Sequence, residues 1–100
     1  MMNFKEACGA VADLFEALPE TYTAGTAARD EQGYRVSAND PSAVCWCAIG
    51  GVAAAMSDRT KIVNLYPFAK KIGYSSVTHA NDHGGRLVAI KMLRLAAGET

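Results

Sequence analysis

His79 and His83 come nearest, in type and spacing, to metal chemistry in this 100-residue chain. Four residues apart, they would share one face of a helix, with Asp82 offering an oxygen beside them. Gly84-Gly85 follows at once and argues against a stable helix there, and the chain has no third His. No metal is therefore assigned and no cofactor is expected. Cys45 and Cys47 flank Trp46, the one Trp. Read on a helix, residues two apart point roughly 200° away from each other, so the two thiols cannot grip one ion. Both, with Cys8, are read as small core hydrophobes, and Trp46 as a core anchor. Nucleophilic catalysis would need a thiol beside His79 or His83, and neither Ser57 nor Ser75-Ser76 sits in a nucleophile elbow. No catalytic residue is assigned, and the expectation is a protein that is not an enzyme.

A second polar group comprises Arg29, Asp30, Asn81, Asp82, His83 and Arg86. Arginine pairs with carboxylates in a two-pronged geometry, so the favoured reading is a structural ion pair between the two blocks. The functional alternative is a polar pocket that binds or sequesters a small anionic, nucleotide-like ligand. His83-Gly84-Gly85-Arg86 at a helix start could cradle a phosphate, but it lacks the spacing and Lys of a P-loop. Asn81 or Asp82 is expected to cap the last helix. Lys61, Lys70 and Lys71 are read as a solvated face.

Ten basic and ten acidic residues cancel. A chain without net charge lacks the electrostatic footprint of non-specific nucleic-acid binding, so direct nucleic-acid contact is not expected. No window approaches ~18 uninterrupted apolar residues, and Lys5 and Glu6 interrupt the start where a signal peptide needs an apolar run. Three Cys without framework spacing fit reduced thiols, hence the cytoplasm of a bacterial host.

The elements that must position these residues follow from caps and periodicity. The 50% hydrophobic composition and the length predict a single domain over 1–100. Asn3 with Glu6 reads as a capping box, and Phe4, Ala7, Cys8, Val11, Leu14, Phe15 and Leu18 fall on one face of a helix over about 4–17, stopped by Pro19. Asp30-Glu31-Gln32-Gly33 marks a turn, predicting a short β-hairpin or irregular insert within 19–39. Asp40 as N-cap and Pro41 at the first position predict a second helix over about 41–57, apolar almost all round and buried. Ser57-Asp58-Arg59-Thr60 reads as a polar connection. Ile62, Val63, Tyr66, Phe68, Ala69 and Ile72 predict a third helix, started or kinked by Pro67 and capped by Gly73. Tyr74 to Gly85 reads as a polar link, followed by a last helix from Leu87 to Ala96 closed by Gly98. The expected fold is mostly α, a small bundle of about four helices with the insert between the first two.

The order Gly25, Ala28-Arg29-Asp30, Gly33, Asp40-Pro41, Ala43-Val44, Trp46-Cys47, Gly50, Asn81-Asp82, Arg86 resembles a family of small bacterial and phage proteins catalogued as a domain of unknown function. The likeness spans about residues 21–97. Some members carry a Thr-His pair just after the Arg, where this chain has Leu87-Val88. The resemblance implies a phage or prophage setting. With small size, zero net charge and no catalytic motif, it leads to the expectation of a binding protein that docks on a host protein complex. The concrete form is inhibition of a bacterial defence system such as a CRISPR effector. Tyr and Arg are enriched among interface anchors, which nominates Tyr22, Tyr34, Arg35, Tyr66 and Tyr74 as contacts. A homo-oligomeric assembly protein is a further alternative.

Overall fold

The chain is described by a computed structural model over residues 2–56 and 64–98. The polar connection at Ser57-Asp58-Arg59-Thr60, and Ile62 and Val63 of the expected third helix, lie outside the described residues.

Helix α1 (Phe4–Ala17) begins as its caps dictate: Asn3 Oδ1 accepts from Glu6 N at 2.8 Å, and Glu6 Oε1 accepts from Asn3 N at 3.2 Å. Its buried stripe is Ala7, Cys8, Val11, Ala12 and Phe15, whereas Leu18, past the helix end, is exposed. The hairpin forms at the expected turn. Asp30 Oδ1 accepts from both Gln32 N and Tyr34 N, and Gly33 takes φ 85°, a left-handed conformation natural to glycine. Strands β1 (Ala28–Arg29) and β2 (Arg35–Val36) pair antiparallel with Ala28 opposite Val36.

The second helix starts later than expected. Asp40-Pro41 makes a turn instead of a helix start: Asp40 Oδ1 takes Ser42 N at 2.8 Å and Ser42 Oγ at 2.6 Å, and Ala43 N reaches Asp40 O at 3.0 Å. The chain then runs extended as β3 (Cys45–Trp46), antiparallel on the free edge of β1, to complete a three-stranded sheet in the order β2-β1-β3. The same Asp-Pro signal serves a turn and an N-cap. The open edge of β1 decides between them. Helix α2 (Ala48–Met56) follows; Ala48, Val52 and Met56 enter the core, while Ile49 remains partly exposed.

Helix α3 (Tyr66–Lys71) carries Pro67 in its first turn and ends at Gly73, φ 92°, whose N–H reaches Lys70 O while Tyr74 N reaches Ala69 O. Helix α4 (Val77–Ala96) starts ten residues earlier than expected from Leu87. Ser76 Oγ caps it by accepting from His79 N at 3.0 Å, so residues 77–84 are helical and not a polar link. The glycine signal was real but local: Gly85 sits at φ 80°, ψ −170°, and breaks α4 into two segments. Gly98 closes α4 with positive φ.

Among the described residues the result is a mostly α bundle of four helices with a small antiparallel sheet between the first two, its core built by Phe15, Val52, Leu65, Met92 and Leu93. Arg94 clamps α4 to α1 through Asp13 at 2.7 Å and through Glu16.

The closest backbone approach lies at Gly50, where a Cβ would stand 2.1 Å from the carbonyl oxygen of Ala27. Backbone cannot yield as a flexible side chain does. Gly50→Ala is expected to cost about 3 kcal/mol or more, read as a lowered urea midpoint; a midpoint equal to wild type would contradict this packing.

Candidate functional site

Helix α2 borders two surfaces, and the residues at its head determine both. Cys47 immediately precedes it. Its Sγ accepts from Gly50 N at 3.3 Å and its carbonyl from Gly51 N at 2.8 Å, so the thiol acts as a cap. The Ala48 N–H, fully buried, is taken by Asn81 Oδ1 at 3.0 Å. Asn81 was expected to cap the last helix; it caps the second, from a distance of 33 residues. Ser76 does the job expected of it, because the helix begins upstream of Asn81.

Asn81 is the centre of a polar knot. Its Nδ2 donates to Asp82 Oδ1 at 2.9 Å and to Thr23 O at 3.4 Å, and its carbonyl accepts the hydroxyl of Tyr22. Asp82 Oδ1 also takes Gly25 N at 3.0 Å. These bonds, led by the Asn81 amide, hold the Asp82 carboxyl below the usual carboxylate range. Burial pushes the Tyr22 phenol up to about 12, reinforced by Asp82 and Cys47, and the ring packs edge-on against Phe15 at 5.4 Å. Burial likewise raises the Cys47 thiol and pushes Cys8 to about 12, so both stay protonated and poorly nucleophilic.

Beside this knot lies a cavity of about 290 Å³ lined by Gly25, Thr26, Ala27, Cys47, Ile49, Gly50, Val77, Thr78, Asn81 and Asp82. Of the residues nominated for an anion pocket, Asn81 and Asp82 line it. Arg29, Asp30, His83 and Arg86 do not. Nor do the arginines form the expected ion pair with an aspartate. Arg29 donates to Thr23 Oγ1 and to the carbonyls of Ala24 and Gly33, and Arg86 donates to Phe15 O at 3.0 Å. Arg29 is spent on tying the irregular backbone of the insert, and Arg86 on a carbonyl in the last turn of α1, where helix carbonyls lack local donors. Asp30 is spent on the hairpin turn. The cavity wall is mainly apolar, with the Asp82 carboxylate, the Asn81 amide and the Thr26 and Thr78 hydroxyls as its polar points and no guanidinium in the lining to meet a phosphate.

The second surface is an open groove of about 650 Å³ between α1 and α2, lined by Met2, Glu6, Ala10, Val11, Leu14, Trp46, Gly51, Ala54 and Ala55. Trp46 is half-buried at its end and not a core anchor, its indole N–H donating to Ala38 O at 3.0 Å. Extended backbone is the reason: β3 alternates its side chains, sending Trp46 to one face and placing Cys45 and Cys47 on the other, where a helix would have spread them. Sequence reasoning missed this groove. Its signal was present in Ala10 and Leu14 of α1, four residues apart, with Met2 before the helix in the same register and only Glu6 interrupting the row.

The nominated contacts lie on separate elements. Tyr34 and Arg35 are exposed at the hairpin, Tyr66 is exposed at the start of α3, and Tyr74 and Tyr22 are half-buried. His79 and His83 stand on one exposed face of α4 with ring centroids 4.8 Å apart. Among the described residues, no group of three or more His, Cys, Asp or Glu is placed to hold a metal, and no helix is long and apolar enough to cross a membrane.

The fold therefore defines a small mostly α protein in which one uncharged helix borders both an open groove and a second, smaller cavity. Comparison with protein-family models, curated proteins and solved structures finds no match to this chain.

Two outcomes follow from the knot. Asn81→Ala strands the buried Ala48 N–H and should cost about 1–3 kcal/mol in urea unfolding. Because the folded Asp82 carboxyl titrates below its ordinary value, its contribution is present above about pH 4 and is lost as pH falls through the lowered value. Acid melts of Asp82→Asn should accordingly show a flatter decline below about pH 4 than wild type; parallel curves would remove the assigned role.

Proposed function

We propose that the chain is a non-enzymatic docking protein whose α1/α2 groove receives apolar side chains from a helical segment of a partner protein. The observation that carries this reading is Trp46, half-exposed in an open groove whose floor of Ala10, Gly51, Ala54 and Ala55 is bordered by Met2, Val11, Leu14 and Glu6. Ala10, Gly51, Ala54 and Ala55 leave room for a helix to approach closely, and an aromatic beside such a floor is the usual composition of an interface anchor. Small residues also lose little side-chain entropy when covered. The Cys47 thiol, which lines the cavity, is held protonated by burial, which supports binding over nucleophilic chemistry.

The resemblance to small phage proteins supports a bacterial host complex as the partner, and inhibition of a defence system such as a CRISPR effector as the outcome of docking. The hairpin tip with Tyr34 and Arg35 is exposed and supplies a second contact in this reading.

Ala10→Arg fills the groove and Trp46→Ala removes its aromatic end. Each variant should retain its helical circular dichroism while host-protein capture and protection of an infecting phage against the defended host fall by about 30-fold or more, the loss expected of an anchor worth ~2 kcal/mol. Lys70→Ala, on α3, should behave as wild type. Folded groove variants that capture and protect as well as wild type would overturn the proposal.

A further inference from the structure

The histidine pair on α4 is untouched by the docking reading, and an independent observation bears on it. In sequence, Gly84-Gly85 argues against a helix over residues 79–83, one of the two grounds against a metal there. The helix is there. Ser76 caps it, and the break falls at Gly85, beyond both rings.

Three geometric facts follow. Both histidines are exposed on one helical face. Their ring centroids are 4.8 Å apart. Two imidazoles that share one ion, each with its nitrogen about 2.1 Å from the metal at bond angles of roughly 90–109°, hold their centroids roughly 4.5–5.2 Å apart. The observed separation lies inside that range before any ion arrives. His79 also has a supporting partner: its Nδ1 lies 3.1 Å from Ser75 Oγ. In the tautomer that donates from Nδ1 to the serine, the Nε2 lone pair is left for a metal, the arrangement by which second-shell groups orient ligating histidines. Tyr74 packs edge-on against His79 at 5.5 Å and restricts ring rotation.

We propose that His79 and His83 form a two-histidine site for a divalent transition metal of the imidazole-preferring series, Ni(II), Cu(II) or Zn(II). The Asp82 carboxylate between them is already held by Gly25 N and the Asn81 amide, and the site has no third protein ligand among the described residues. Water fills the remaining positions, leaving the ion open to an added ligand. Imidazole nitrogen and this open shell select against Ca(II) and Mg(II), which demand oxygen.

The test is Ni(II) titration of the full chain by calorimetry and absorbance, with Cu(II) paramagnetic resonance to count nitrogen ligands. One ion per chain is expected, with two equivalent nitrogens and no thiolate-to-metal absorption band. His79→Ala and His83→Ala, both at exposed positions, should each weaken binding by more than about tenfold, and Ser75→Ala by several-fold with the helical signal unchanged. Absence of Ni(II) binding, binding undiminished in both histidine variants, or a thiolate band would each overturn the site.

Discussion

One side chain, Asn81, holds together parts of the chain that have no other reason to meet. Its oxygen satisfies the buried head of α2, its amide reaches Asp82 and the Thr23 carbonyl, and its backbone carbonyl receives Tyr22. A fully buried N–H without a partner is among the more expensive defects a small protein can carry. α2 has no Ser, Asp or Asn of its own at its start, and Cys47 bonds residues further along the first turn without reaching the Ala48 N–H. The first turn of the central helix therefore depends on a residue of α4. The insert that carries the sheet depends on the same residue through Thr23 and, by way of Asp82, through Gly25.

The glycine pair of α2 explains how so short a helix borders two different surfaces. Gly50 lies against the Ala27 carbonyl, and Gly51 lies against Val11 of α1, where a Cβ would stand 2.8 Å from Val11 Cγ1. One glycine admits the sheet and the other admits α1. With both neighbours so close, the remaining small residues of α2 are left as the floor of the groove, and no charged side chain is present in α2 to fill it.

How much of this was legible in the sequence depended on whether the deciding contact was local. The capping box of α1 and the Asp30 turn are closed by partners within four residues, and both formed as written in the chain. Asp40-Pro41 was misleading because an N-cap and a turn begin with the same residues, and the edge of β1 that settled the matter is contributed by Arg29 and Ala28. Gly84-Gly85 argues in sequence against a helix over 79–83, yet it marks a break within a helix already capped at Ser76. Asn81 and Asp82 read in sequence as a cap of the last helix or a pocket lining, whereas the residues they tie together, Ala48, Tyr22, Thr23 and Gly25, are 33 to 59 residues away in the chain, beyond the reach of spacing rules. The groove escaped notice because Trp46 was placed on a helix, which would have turned it inward.

The remote cap of α2 also orders events in time. α1 possesses its complete N-terminal cap as soon as residues 3–6 exist, and the hairpin turn needs only residues 30–34, so both can form by fast local closure. The first turn of α2 has no such means: until Asn81, carried on the capped segment of α4, arrives from 33 residues away, the Ala48 amide can bond only to water. Drying out the head of the central helix therefore requires a long-range contact, which ties the packing of α2 to the docking of α4.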